Sequence, residues 1–160
     1  MTAWVDLHLH SSCSDGTETP EELVVRAAGI GATAIALTDH DTINGVCAAQ
    51  QTAESAGLAF LTGVEISCCF DEREMHIVGL GIDMDAPELT ALLKTLAEMR
   101  RNRMDAIIKR LNNRGITFEQ PDGQNGSVGR MHVAVALHEM GKASSVQNAF
   151  DKYLNRGCPA

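Results

Sequence analysis

No apolar run in the chain reaches the roughly 18–20 residues that a membrane-spanning helix needs. The first residues, MTAWVDLHLHSSCSDG, carry neither a basic stretch nor a long apolar one, so they do not read as a secretory signal. Aromatic residues are scarce, with one Trp, one Tyr and four Phe. That leaves too few rings for a base-stacking platform, which argues against a dedicated RNA-binding surface. Cationic residues are outnumbered: 13 Lys and Arg face 21 Asp and Glu, for a net charge of −8. A global grip on double-stranded DNA is therefore not expected, although a local basic patch can still hold phosphate. The cysteines (Cys13, Cys47, Cys68, Cys69 and Cys158) are odd in number and form no C-x-x-C pair. A disulfide framework or a cysteine zinc site is not expected; reduced thiols in a cytoplasmic protein are.

What is present fits a globular chain. With 160 residues, 44% hydrophobic and 21% charged, one domain, or one with a small satellite, can bury a core. Trp4–Leu9 reads as a strand and Ser11–Thr17 as a polar loop. Thr19, Pro20 and Glu22 make a capping box with proline at the first helical position, and the helix ends near Gly29 or Gly31. Thr33–Thr38 is a short apolar run, as expected of a buried parallel strand. Thr42 is placed to cap a second helix that ends near Gly57. Leu58–Val64 and His76–Leu80 read as further strands. The order β-α-β-α-β predicts an α/β fold with a parallel sheet. After Asp85 the period changes. Leu89, Leu92, Leu96, Ile107 and Leu111 recur at helical spacing, which predicts one long helix from Pro87 to Asn113. A polar loop over Gln120–Gly129 follows, then helices over Arg130–Met140 and Ser145–Asn155. The division is therefore residues 1–85 as an α/β unit and 86–160 as a helical module.

The chemistry-bearing residues gather at predicted strand ends, where parallel α/β sheets place their function. His8 and His10 alternate on the first strand, so both imidazoles face one side. Asp15 lies in the loop beyond, His40 just past the second strand and Glu65 just past the third. The segment from Ser67 to Met75 is too short for a helical crossover, so the fourth strand returns antiparallel and His76 starts at the end where Glu65 lies. Singly, each has a plain reading: an H-x-H pair on a surface, Asp39 and Asp41 beside His40 as caps of the next helix, Glu65 as an exposed glutamate. Together, mixed imidazole and carboxylate ligands suit zinc, manganese or iron, and their spread over several elements points to a site for more than one ion.

The stretches DLHLHSSCSDGT (Asp6–Thr17), ALTDHDT (Ala36–Thr42), GVEIS (Gly63–Ser67) and MHIVGLG (Met75–Gly81) resemble the PHP superfamily, named for polymerase and histidinol phosphatase. Within it, GRMHVA (Gly129–Ala134) and FDKYLNRG (Phe150–Gly157) are similar to the helical insertion of bacterial phosphoesterases acting on nucleoside 3′,5′-bisphosphates and RNA 5′ ends. The resemblance implies the N-terminal half of a distorted seven-stranded β/α barrel plus a helical insertion. It implies two to three divalent metal ions (Mn, Zn or Fe) on His8, His10, Asp15, His40, Glu65 and His76, with Glu65 bridging. The implied reaction is hydrolysis of a phosphomonoester by metal-activated water. Arg130 and His132, at a predicted helix start, would hold the second phosphate of a small nucleotide or short RNA. The alternative for these two is an exposed arginine and a packing histidine. Arg100, Arg101, Arg103, Lys109, Arg110 and Arg114 form a local positive patch that reads as a solvated helix face, with a nucleotide or RNA backbone as the alternative occupant.

Members of the resembled family run on past the point where this sequence stops, and bring one further ligand for each metal. The expected consequences are an open sheet edge, an exposed apolar face and a loosened metal site. A second copy of the chain or a separate C-terminal fragment would complete the barrel. Two other functions stay open: a metal- or phosphate-binding module without turnover, and a histidinol-phosphatase-like activity.

Overall fold

A computed structural model describes residues 4–119 and 127–154. Four strands, β1 (Trp4–Leu9), β2 (Ala32–Leu37), β3 (Ala59–Phe70) and β4 (Arg73–Leu80), form one sheet in the order β1-β2-β3-β4. The first three are parallel, and β4 runs antiparallel to β3 with His76 opposite Ser67. The chain crosses from β1 to β2 through helix α1 (Pro20–Gly29) and from β2 to β3 through α2 (Val46–Ala56). Leu23, Val24 and Ala27 of α1 and Ala49 and Ala53 of α2 bury against Ile35 and Leu37, forming the first core. At roughly 25 cal/mol per Å² of apolar area removed from water, these contacts are the main force holding the helices on the sheet.

Local chemistry explains the element ends. The α1 capping box forms as expected: the Glu22 amide donates to Thr19 Oγ1 at 3.2 Å, and the Thr19 amide to Glu22 Oε2 at 3.0 Å. Thr42 does not cap α2. The helix starts after Gly45 without a side-chain cap, and Thr42 Oγ1 accepts from the Asn44 amide. The cause is tertiary. The Asp41 amide donates to the Glu65 carbonyl at 2.9 Å, which ties the chain to β3 and delays the helix. β3 continues to Phe70, six residues past its expected end, because it is carried by pairing with β4 rather than by burial. Asp71 and Glu72, both with positive φ (50° and 59°), make the two-residue turn whose twist suits a hairpin.

The second half is helical. It comprises α3 (Pro87–Asn113), α4 (Arg130–Glu139) and α5 (Val146–Ala149), the last continuing into a wider helical turn over Phe150–Leu154. The single helix expected over Ser145–Asn155 is thus broken at Phe150, and Asn155 lies outside the described residues, as do residues 120–126 of the expected loop. Met104, Ile107 and Leu111 of α3 pack on Val133 and Leu137 of α4, with Phe118 and Leu154, in a second core separate from the first. Cys13, Cys47 and Cys68 are free, but Cys69 is disulfide-bonded, which corrects the expectation of wholly reduced thiols. Pairing depends on proximity in space, which the sequence spacing does not reveal. The open sheet is as expected: Val5, Leu61, Ile77 and Leu80 are exposed, and β1 and β4 are its two edges among the described residues. No helix among the described residues is long and apolar enough to cross a membrane.

Candidate active site

The strand ends deliver their side chains to one point, and that point is Glu65. Its carboxylate is almost fully buried. Oε2 lies 2.8 Å from His8 Nε2, 3.0 Å from His10 Nε2 and 3.6 Å from His40 Nδ1, and Oε1 lies 2.9 Å from His76 Nδ1. The four imidazoles form a continuous row, with successive ring centroids 5.1, 4.6 and 4.8 Å apart. Asp15 completes the cluster, 3.3 Å from His10 Nδ1 and 3.6 Å from His40 Nε2. All six residues singled out in the sequence are therefore together. The antiparallel return of β4 brings His76 in.

Three overlapping groups have ligand atoms close enough to share an ion: His8, His10 and Glu65; His10, Asp15 and His40; His40, Glu65 and His76. Three observations test whether these residues fit metal. His40 Nδ1 is buried with no hydrogen-bond partner, a state that costs free energy unless an acceptor of its lone pair is bound. Burial also pushes the His40 imidazole below its usual pKa, against the pull of Asp15 and Glu65, which favours the neutral form that ligates. Burial would raise Glu65, but the His8 hydrogen bond and the His40, His8 and His10 charges outweigh it and hold the carboxyl below its ordinary value. The donor set fits.

Asp39 and Asp41, which sequence reasoning left as possible caps, are buried supports. Asp39 accepts from the Ser11 amide (2.7 Å), Ser11 Oγ (2.6 Å) and Ser14 Oγ (2.6 Å), and Ser14 Oγ is 3.4 Å from His10 Nδ1. A carboxylate behind a serine thus orients His10 from its far side, as second partners of metal-binding histidines do. Gly16 closes the same loop: a Cβ there would lie 2.2 Å from the His10 carbonyl oxygen. Asp41, at φ 53°, accepts from the Ser67 amide at 2.7 Å and from Arg100 Nε at 2.6 Å.

Arg100 opens the second part of the site. It also donates to Ser67 Oγ at 3.0 Å, so it docks α3 onto the sheet. Arg103, one turn on, and Arg130, at the start of α4, converge on Glu74 of β4. Arg130 Nη2 donates to both Glu74 oxygens, and Arg103 Nη1, 4.0 Å from Glu74, is buried with no hydrogen bond. Burial, with Arg100 and Arg130 alongside, pushes the Arg103 guanidinium below its ordinary value. For Arg100 and Arg103 the solvated-face reading is therefore wrong: they point at the sheet. Helix periodicity shows which residues share a face, but not which face docks. His132 is partly committed to the fold, since its Nδ1 accepts from the Gly129 amide at 3.1 Å and so orders the start of α4. Glu74 lies 3.8 Å from His76 Nε2, so the cationic group adjoins the imidazole row. A cleft of about 470 Å³ opens beside Arg100, between Thr42 and Asn44 after β2 and Leu93, Lys94 and Met104 of α3.

Comparison with known proteins agrees with this geometry. Residues 6–125 match the family model described as the PHP domain. A 5′-3′ exoribonuclease of Haemophilus influenzae is 41% identical over 160 residues, covering 98% of this chain and 58% of that protein. A 3′,5′-nucleoside bisphosphate phosphatase of Chromobacterium violaceum is 37% identical, covering 97% of this chain and 56% of its own length. The solved structure of an amidohydrolase from Chromobacterium violaceum, with bound sulfate and no metal, superposes with a TM-score of 0.85 at 36% identity, over 97% of this chain and 56% of that one. The chain thus spans little more than half the length of the curated relatives it matches. The strand-end motifs, the sheet that presents them and these matches agree: the chain belongs to the PHP domain family.

Proposed function

We propose that this chain carries the metal-binding and phosphate-binding half of a hydrolase that removes phosphate from a small nucleotide with two phosphates, such as a nucleoside 3′,5′-bisphosphate, or from an RNA 5′ end. The carrying observation is the juxtaposition of two groups of opposite character. An imidazole–carboxylate cluster centres on Glu65, and a guanidinium cluster centres on Glu74, with His76 between them. The first suits two or three divalent ions held by His8, His10, Asp15, His40, Glu65 and His76, with Mn, Zn and Fe the metals that match the donors. When bound, such ions supply Lewis acidity to a phosphoryl oxygen and make water nucleophilic at neutral pH.

The chain's own residues do the rest. Glu65 holds the imidazoles at one point, and Asp39, through Ser14, fixes which His10 nitrogen faces inward. Arg103 and Arg130 hold the phosphate that is not cleaved. Their planar donor forks match its oxygens, and their burial strengthens the pairing. Arg100, held by Asp41, sets the distance between helix and sheet, and His132 acts through the helix start that carries Arg130. The cleft beside Arg100 is wide enough for a nucleoside. Sulfate in the related Chromobacterium violaceum structure supports an oxyanion-binding fold.

The test is phosphate release from adenosine 3′,5′-bisphosphate with added manganese, with His10→Ala run in parallel. The expected result is turnover in the native chain and a loss of about 10³-fold in the variant, because a ligand and its ion's charge stabilisation go together. Metal and phosphate affinity without turnover would assign a binding module instead.

A further inference from the structure

Glu74 sits where the second phosphate is proposed to go. Its carboxylate comes from the hairpin, opposite Cys69, whereas Arg103 and Arg130 come from separate helices. Glu74 is itself 24% exposed, and its same-face neighbours Glu72 and His76 are exposed, so the carboxylate has room to leave. Nor does it saturate its partners. Both its oxygens take a donor from Arg130, while Arg103 Nη1 stays 4.0 Å away and has no hydrogen bond. A phosphate has more acceptor oxygens and more charge than a carboxylate, and would satisfy both guanidiniums.

Resting on the phosphate reading above, we propose that Glu74 is an exchangeable counter-anion that sets the charge specificity of the site. It holds Arg103 and Arg130 together until a ligand's second phosphate displaces it. A nucleoside monophosphate leaves the Glu74–Arg130 pair in place and gains nothing from it. A bisphosphate gains both guanidiniums, less the cost of expelling the carboxylate. The residue that resists the second phosphate therefore also keeps the cradle assembled in its absence.

Calorimetric titration of the chain in chelator separates the cases, because binding is read without turnover. Adenosine 3′,5′-bisphosphate and adenosine 5′-monophosphate are compared on native protein, Glu74→Gln and Arg130→Ala. Glu74→Gln keeps the shape and removes the charge. It is expected to tighten the bisphosphate about tenfold and to leave the monophosphate within about twofold. Arg130→Ala should weaken the bisphosphate alone. If Arg130→Ala weakens the bisphosphate but Glu74→Gln weakens it or leaves it unchanged, Glu74 is a brace and only the counter-anion proposal falls. Equal tightening of both ligands also overturns it, as a general charge effect. If native protein does not prefer the bisphosphate and Arg130→Ala changes nothing, the phosphate reading falls and Glu74's role with it. Glu74→Asp, which keeps the charge but draws it back, guards against misfolding of the amide variant and should give a smaller tightening of the same sign.

Discussion

The two sides of the site are built by opposite means. On the imidazole side, every ligand but the loop residue Asp15 sits on or just beyond a strand, and its direction is set by backbone register: His8 on β1, His10 just after it, His40 after β2, Glu65 on β3 and His76 on β4. On the guanidinium side, long side chains from α3 and α4 reach across a gap between two separate cores. They are held by ion pairs with Asp41 and Glu74 rather than by shared packing. Strand register fixes positions within fractions of an ångström, while docking through arginines leaves the helices free to adjust. The first arrangement suits ions, which demand set ligand geometry, and the second suits a substrate that must enter and leave.

The difference is sharpest if the two sides can be damaged separately. Arg103→Ala removes a guanidinium whose buried Nη1 has no hydrogen bond. It should weaken binding of a nucleoside bisphosphate by about 10- to 100-fold while leaving manganese affinity within about twofold. Titrating metal and nucleotide separately on the same variant checks this. Parallel loss of both would mean that the helices, not the strands, hold the metal cluster in shape.

What the sequence disclosed follows the same division. The H-x-H pair, DHD and GVE are legible because strand periodicity and strand ends are short-range properties. Even His76 was reachable, since a nine-residue connection forbids a crossover helix. Arg100 and Arg103 were not legible. Their helix was placed over its full length, but the orientation of its charged face depends on Asp41, Ser67 and Glu74, which are 26 to 59 residues distant in sequence from their partners. Thr42 was misread for the same reason, because a backbone bond to Glu65 outweighed a local capping preference. Asp39 carried only the signal of a second acid beside His40, which does not separate a cap from a buried support.

Asp39 is where the strand side should prove rigid by design. Asp39→Asn keeps the volume but leaves one acceptor too few for the Ser11 and Ser14 hydroxyls and the Ser11 amide. A loss of about 2 kcal/mol is expected in urea unfolding, because hydrogen bonds to a buried charge are stronger than neutral ones. Manganese affinity should fall as well, as His10 loses its backing. Unchanged metal affinity at reduced stability would show that the strand ends alone orient His10.

The smallest effect, and the one that puts both sides on a single axis, is acid sensitivity of the metal-free chain. Burial lowers His40, while His8 and Arg130 respectively, overriding burial, lower Glu65 and Glu74. For each, the unfolded chain binds the proton more tightly than the folded one, so acid favours unfolding. The contribution is fully present above the ordinary values, 6.5 for His40 and 4.5 for the two glutamates, and is lost as pH falls through the lower folded values. Melting temperature should therefore decline in two stages, one beginning below pH 6.5 and one below pH 4.5. Glu65→Gln and Glu74→Gln should each flatten the second stage, Glu74→Gln less because Glu74 is the more exposed, and Glu65→Gln should also deepen the first, because the Glu65 charge opposes the lowering of His40. A single decline, or one that Glu65→Gln leaves untouched, would mean that the imidazole side is not held by its central carboxylate.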